Sequence, residues 1–515
     1  MRNNREIDTR EMTITMMAII IVTKVTIPRS KDYDNVSEDI SLQSYFQIGR
    51  MHGIKYLTSH KTHEKIFWGL AIITSLIFMV YFLFINQNQS TIVEISEKLP
   101  LFQIPFPAVT ICPETKAKKS IVNVTDAYHN IIYNLTEYQY DQEYLSYIEA
   151  LTQVCDPHLF SSVNVKNDSP TQGKEFLQIL REIAVPKNEM ILFCKFRNEI
   201  IDCADMFTES ITDDGICYTF NMMHYEDLYR KFNHDPKDQV EWNLEKGYCS
   251  SDLDMCPKRA LPGADYGLNV VLNMKTSDLD FMCKGPVQGF KIHVHPSDEH
   301  PQMMNGFFRV ALNSDVVVAI QPEMSTDEIN VSKKCHTSAT KSLDFFNGYS
   351  QKNCLTECFS KFVFNKCGCI KYSMIHKNET KVCSQQDTRC VIQTMNTFFI
   401  TERFKSEFLC DCMPSCKNLN YKVDTSSADF DYKRVFKAYN APLDDEFPKS
   451  VMSRIHLFFT DDHFINKILR HKEKEDMTMS EKISQIGGLM AFFIGASVLS
   501  IIEILYFILK KVLRI

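Results

Sequence analysis

The eighteen cysteines of this 515-residue chain all lie between Cys112 and Cys416, and two long apolar runs flank that stretch. Disulfides persist in oxidising compartments, so cysteines confined between two hydrophobic runs mark the intervening segment as extracellular or lumenal. The first run, Ile66 to Ile85, has twenty residues and no charge. At about 1.5 Å per residue it covers the roughly 30 Å hydrocarbon core of a bilayer. The second, Ile486 to Leu509, is long enough to span with tilt and carries one charge, Glu503. Lys61 and Lys65 precede the first run, and Lys510, Lys511 and Arg514 follow the second. By the positive-inside tendency both termini are cytosolic; the expected localisation is that of a multi-pass protein of the plasma membrane. The expected order is a cytosolic N-terminus (1–65), a first span (66–85), an ectodomain (86–485), a second span (486–509) and a short cytosolic tail (510–515).

The formal net charge of −7 gives no sign of nucleic-acid binding. The apolar patch Met12–Ile27, preceded by Arg2, Arg5 and Arg10, has the outline of a signal peptide. It lacks a small-residue cleavage site and Lys24 interrupts it, so it reads as a cytosolic extension or a mis-joined first exon. Sequons at Asn123, Asn134, Asn330 and Asn378 are expected glycosylation sites, since all fall between the spans. Pro170 weakens the sequon at Asn167.

Between the spans, Gly289–His295 and Phe307–Ile320 alternate like strands, while Ser350–Phe362 has a helical pattern. The expected fold class is therefore a membrane α+β protein with two transmembrane helices and a large disulfide-rich ectodomain. Cys354 and Cys358, four apart, share one helix face, and Cys410 and Cys412, two apart, share one face of a strand. A ladder of cross-links between that helix and a returning strand follows, each worth roughly 2–4 kcal/mol. Zinc is the competing reading of such spacings, but the location and the lack of clustered histidines disfavour it; no metal or cofactor is expected.

A charge within a span costs about 2.5–3.5 kcal/mol on insertion scales, so Glu503 is expected to face protein or water. Ala496, Ser500 and Glu503 share one small, polar helix face, while Gly487, Ala491 and Gly495 form a small-xxx-small series that lets helices approach closely. A helix-packing seam with Glu503 neutralised by a neighbour is the plainer alternative. Two spans cannot enclose a water path alone, so a pore requires an oligomer. In such a pore Gly495, Ala496 and Ser497 supply a ring of backbone carbonyls and hydroxyls, and Glu503 a ring of charge that favours cations.

Several motifs occur in order: His52-Gly53, FPAVTIC at Phe106–Cys112, DGICYTFN at Asp214–Asn221 and GFKIHVHPSDEHP at Gly289–Pro301. YSQKNCLTEC at Tyr349–Cys358, CDCMPSC at Cys410–Cys416 and the GAS triplet within Ile486–Phe507 complete them. With these the chain resembles the degenerin/epithelial sodium channel family, most closely its arthropod pickpocket branch. The resemblance implies a trimeric, sodium-preferring, amiloride-sensitive cation channel, homomeric or built with related subunits, in the lipid bilayer. It implies a hand-like ectodomain whose palm β-sheet joins both spans and receives an extracellular stimulus that the sequence leaves unidentified. It also implies a second span broken at Gly495-Ala496-Ser497 as the selectivity filter, gating residues Ser484 and Gln485 just outside it, and His52-Gly53 in a cytosolic segment that influences opening. The family's pairing would join Cys112 to Cys217, Cys194 to Cys203, Cys335 to Cys416, Cys354 to Cys412, Cys358 to Cys410, Cys367 to Cys390 and Cys369 to Cys383. Cys155, Cys249, Cys256 and Cys283 are left with three possible pairings.

Departures bear on gating and regulation. The only tryptophans are Trp68 and Trp242, so the thumb-base tryptophan of acid-sensing members is absent, with Ser332 near its place. Ala491 replaces a common glycine, and the six residues after Leu509 hold no proline motif. An ATP-gated two-span channel lacks FPAVTIC and the GAS triplet. The non-channel alternative is a non-conducting, disulfide-rich accessory or receptor subunit of a heteromeric complex. Enzyme activity is not expected, since no G-x-S-x-G, H-E-x-x-H or Walker motif is present.

Overall fold

Strand-forming runs with alternating burial build two β-sheets from the region between the apolar runs. This computed structural model describes residues 56–57, 61–88, 91–132, 141–156, 159, 173–230, 244–245, 257–328, 335–377, 380–384, 386–404, 410–440, 449–472, 479–495, 497, 499–500, 502, 505–506 and 509. The chain divides into two units, Met1–Gln89 with Lys474–Ile515, and Ser90–Glu473.

In the larger unit the strands are β1 (Thr91–Pro100), β2 (Ala108–Pro113), β3 (Ile191–Phe196), β4 (Glu199–Ile200), β5 (Phe207–Thr212), β6 (Gly215–Phe220) and β7 (Leu268–Lys275). They continue with β8 (Gly289–His295), β9 (Phe308–Ala311), β10 (Ser314–Asp327), β11 (Lys417–Asp429), β12 (Ser450–Phe459) and β13 (His463–Lys472). An eight-stranded sheet runs β1-β13-β10-β12-β7-β3-β4, with β11 also on β10. The long β10 pairs with β11 along one edge, and on the other with β12 over Asp315–Ile320 and then with β13 over Glu323–Asp327. The change of partner spans Gln321–Pro322, where proline has no N–H to donate to a ladder. A five-stranded antiparallel sheet runs β5-β6-β2-β8-β9, and its inner strands β2 and β6 are buried at every residue. Phe106 joins the sheets: its ring lies 5.6 Å from Phe196, 6.1 Å from Phe220 and 5.1 Å from Phe459, all edge-on.

Two expectations need correction. Phe307–Ile320 is two strands rather than one run, because the chain leaves the five-stranded sheet after Ala311 and enters the larger sheet at Ser314. Asn313, at φ 58°, makes that corner; asparagine tolerates the left-handed region and its polar side chain tolerates the surface. Cys410 and Cys412 are not in a strand, which begins only at Lys417. Pro414 cannot donate to a ladder, and disulfides hold this segment where strand pairing would.

Two helices of 17 residues each, α2 (Gln351–Cys367) and α3 (Thr388–Phe404), form a side module. Ser350 caps α2 by accepting the Asn353 N–H, and Gly368, in the left-handed region at φ 70°, ends it. The module's own buried cluster is small, built on Val363, Ile370, Met374 and Val391. Bridges supply the rest: Cys354–Cys412 and Cys358–Cys410 tie α2 to the segment entering β11, Cys367–Cys390 joins α2 to α3, and Cys369–Cys383 closes the loop between. Elsewhere the bridges are Cys112–Cys217, Cys194–Cys203, Cys335–Cys416 and Cys155–Cys283. The last removes two cysteines from the set of four left open by sequence, while Cys249 and Cys256 lie outside the described residues.

In the smaller unit, α1 (Thr62–Asn88) precedes α4 (Met479–Ile494). Among the described residues one helical segment is long and apolar enough to cross a membrane, Thr62–Phe82, with mean hydropathy 1.9. The two helices meet through Phe82 and Phe493, ring centroids 5.7 Å apart.

Candidate functional site

Gly495 and Ser497, two of the residues singled out for a pore, lie where α4 ends. Gly495 closes the helix by donating its N–H to Ala491 O at 3.1 Å, with its own backbone at φ 64°. A side chain there would meet the left-handed steric penalty, so glycine suits the stop. The chain turns helical again by Leu499 and Ser500. Ser497 opens this second segment as a reciprocal cap: its Oγ accepts the Ser500 N–H at 3.3 Å, and Ser500 Oγ accepts the Ser497 N–H at 3.2 Å. Two orphan donors of a new helix start are satisfied by serines three apart, the geometry of a capping box. The apolar run is therefore a helix, a break and a second helical segment, and the break coincides with Gly495 and Ser497. Carbonyls at such a break leave the helical ladder and become free to meet a ligand.

Ser484 and Gln485 lie on α4, Ser484 exposed and Gln485 half-buried. A Cβ on Gly487 or Gly488 would meet nothing within 4 Å, so this face of α4 is uncovered by the described residues. Ala496, Glu503, His52, Gly53 and the sequons Asn134, Asn330 and Asn378 lie outside the described residues. Asn123 caps the helix Val124–Ile132: its Oδ1 accepts the Asp126 N–H at 3.3 Å and its Nδ2 donates to the Asp126 carboxylate.

Sequence reasoning missed a charged cluster in the larger unit. Asp214, at the β5–β6 turn, receives Lys116 Nζ at 2.6 Å and Lys291 Nζ at 3.0 Å, with Lys284 at 3.6 Å. Burial raises its carboxyl, but these three lysines overcome burial and hold it at about 2. Glu114 accepts Arg309 Nε at 2.9 Å and lies 3.5 Å from Lys291. The partners are far apart in the chain, so spacing carries no signal; Asp214-Gly215 reads locally as an ordinary turn.

A second buried polar group follows from GFKIHVHPSDEHP. His295 donates from Nδ1 to its neighbour Pro296 O at 2.8 Å, which leaves Nε2 to accept from Thr110 Oγ1 at 2.9 Å. Thr110 in turn takes a hydrogen bond from Thr219 at 2.9 Å, and Thr219 from Ser210 at 2.7 Å. His293 stacks on His295 with centroids 5.0 Å apart, and His300 contacts the Tyr229 hydroxyl at 2.6 Å. Burial, with Lys352 nearby, lowers His293 to about 4; burial alone does the same for His300. Burial and then Glu299 raise the Asp298 carboxyl to about 7. Among the described residues no group of three or more histidine, cysteine or carboxylate side chains could hold a metal ion.

The family model described as amiloride-sensitive sodium channel matches residues 45–507. Pickpocket protein 28 of Drosophila melanogaster is 28% identical over 507 residues, covering 91% of this chain and 78% of its own length. Sodium channel protein Nach of Drosophila melanogaster is 22% identical, covering 90% of this chain and 86% of its own. Acid-sensing ion channel 2 of Homo sapiens is 24% identical, covering 92% and 86%. The family match runs through the disulfide-rich β-sheet region and through both apolar segments, and the chain therefore belongs to the amiloride-sensitive sodium channel family, whose members are plasma-membrane ion channels that conduct sodium, not enzymes.

Proposed function

We propose that this chain is a pore-forming subunit of a trimeric, sodium-preferring and amiloride-sensitive cation channel, gated through its ectodomain. The observation that carries the reading is the interrupted helix: a polar, capped break at Gly495 and Ser497 inside an apolar run has no use in lipid, where irregular backbone is tolerated only against protein or water. The uncovered Gly487–Gly488 face of α4 supports assembly with related subunits, because a lone pair of helices cannot enclose an ion path. In this reading both termini are cytosolic, the spans are residues 66–85 and 486–509, and a hand-like ectodomain at 86–485 with sugars at Asn123, Asn134, Asn330 and Asn378 faces outward.

The Gly495-Ala496-Ser497 belt senses ion size through close backbone oxygens, whereas a Glu503 ring mainly senses sign. Ser484 and Gln485 sit at the gate, and His52-Gly53 modulates opening from the cytosolic side. The test is current from the chain in a cell expressing it alone, with reversal potentials in bi-ionic sodium and potassium solutions and block by amiloride. Gly495→Ala and Ser497→Cys are expected to change the sodium-to-potassium permeability ratio, while Glu503→Gln lowers conductance for all cations. Loss of discrimination in Glu503→Gln with both belt variants unaffected makes the carboxylate ring the filter instead. Surface-delivered chain that conducts only when a relative is co-expressed, with belt variants silent in that mixture, makes it an accessory subunit.

A further inference from the structure

Beside the Asp213-Asp214 turn two cavities of about 350 Å³ and 420 Å³ open against helix α3. Asp213, Met304, Lys371 and Met395 line both, so they are adjoining lobes of one site. Each volume falls within the range of small-molecule sites, about 300–1,000 Å³. The lining is mainly apolar and soft: Met303, Phe307 and Val391 in one lobe, Met374, Phe398 and Phe399 in the other. Methionine and phenylalanine adapt to irregular apolar shapes.

The charges do not cancel at the shared wall. Lys284 and Lys291 are engaged by Asp214, and Arg309 and Lys291 by Glu114. Lys371 is different: among the described residues its ammonium has neither a hydrogen bond nor a carboxylate in contact, only the Tyr372 ring 5.7 Å away, and Asp213 attracts it from beyond contact distance. Asp213 already accepts the Met303 N–H at 3.0 Å, and burial raises its carboxyl, so it is a poor counter-ion for an arriving cation. An ammonium without a direct partner among the described residues, on the shared wall of a largely apolar cavity, is what an anionic head with an apolar body completes.

We propose that this two-lobed cavity binds an amphipathic organic anion, its acidic head on Lys371 Nζ and its apolar body against Met304, Val391, Met395 and Phe398. Such a ligand bridges α3 to the five-stranded sheet and fixes their spacing. The proposal stands apart from conduction, since binding is read without current.

The probe is 8-anilinonaphthalene-1-sulfonate, with N-phenyl-1-naphthylamine as the same apolar body without the charge. Burial lowers Lys371 to about 8, so its amine is reactive near neutral pH. Full-length protein in lipid nanodiscs is labelled with a lysine-selective acylating reagent and read by peptide mass spectrometry. The sulfonate is expected to protect Lys371 saturably, and the neutral analogue to protect it much less. By fluorescence titration, Lys371→Gln is expected to weaken sulfonate binding about tenfold, the loss of one charge-assisted contact. Met395→Trp, which fills the shared wall, is expected to abolish protection while Lys371 stays reactive. No protection at saturating sulfonate, equal protection by the neutral analogue, or unchanged sulfonate affinity in well-folded Lys371→Gln overturns the proposal. The wild-type labelling result decides it even where a variant misfolds.

Discussion

The two β-sheets and the α2–α3 module fold by different means. The sheets bury a continuous core that includes Phe106, Phe207, Phe220, Phe290 and Phe459, together with charges matched inside it. The module has only a handful of buried apolar residues and four disulfides within it or at its edge. A small core supplies little net stability, and cross-links compensate by restricting the unfolded chain. One region should therefore be sensitive to packing and protons, the other to reductant.

The largest effect is expected at the buried charge cluster. Asp214→Ala leaves Lys116 buried without its carboxylate, and removing one partner of such a pair costs about 3–5 kcal/mol. The thermal midpoint of the full-length protein in nanodiscs should fall strongly, and by the same amount with or without reductant. A drop that appears only under reducing conditions would show that the sheets too depend on bridges.

The converse test is the double replacement Cys354→Ser with Cys412→Ser. It should cost about 2–4 kcal/mol, with faster hydrogen exchange confined to α2 and α3. Equal loosening of β2 and β6 would mean that the module and the sheets unfold as one unit.

Much of this division was legible in the sequence, and the illegible part has physical causes. The apolar runs, the strand Gly289–His295 and helix α2 carry local patterns that no tertiary contact needs to complete. The interruption at Gly495–Ser497 came from a resemblance, because glycine and serine in an apolar run are equally at home in a packing seam. The corner at Asn313 was hidden inside unbroken alternation, since both strands keep period two across it. Cys410 and Cys412 have strand spacing, but a ladder needs a partner edge and covalent bonds took its place. The Lys116–Asp214 pair, 98 residues apart, exists only in the fold.

Acidification separates the regions again, by a smaller amount. His293 and His300 have folded values near 4 against an ordinary 6.5, so the unfolded chain binds more protons in that window. Their contribution is present above pH 6.5 and lost as pH falls toward 4. Asp298 acts oppositely: held protonated up to about 7 against an ordinary 3.8, it contributes fully below 3.8 and its contribution fades as pH rises to 7. Between pH 4 and 6.5 the Asp298 slope offsets part of that of the two histidines. Asp298→Asn removes the second, so stability should fall more steeply on acidification, by about 1.4 kcal/mol per pH unit at most. An unchanged pH profile would mean that Asp298 is ionised in the folded protein.

The smallest effect should reveal how tightly the bridges hold. Gly368 occupies the left-handed region at φ 70°, and a Cβ there would meet nothing within 4 Å, so Gly368→Ala carries backbone strain and no clash. Its neighbours Cys367 and Cys369 are both bridged, which prevents the chain from relaxing away from that conformation. With bridges intact the substitution should cost about 1 kcal/mol, the left-handed penalty for a residue with a Cβ. In a background where Cys367 and Cys390 are both serine, α2 is free to fray from its C-terminus and the cost should shrink. A double-mutant cycle on thermal midpoints measures that difference. Additive costs would mean that the α2 terminus is held by the packing of Val363, Ile370 and Val391 rather than by its cross-links, and the contrast between the two regions would narrow to the size of their cores.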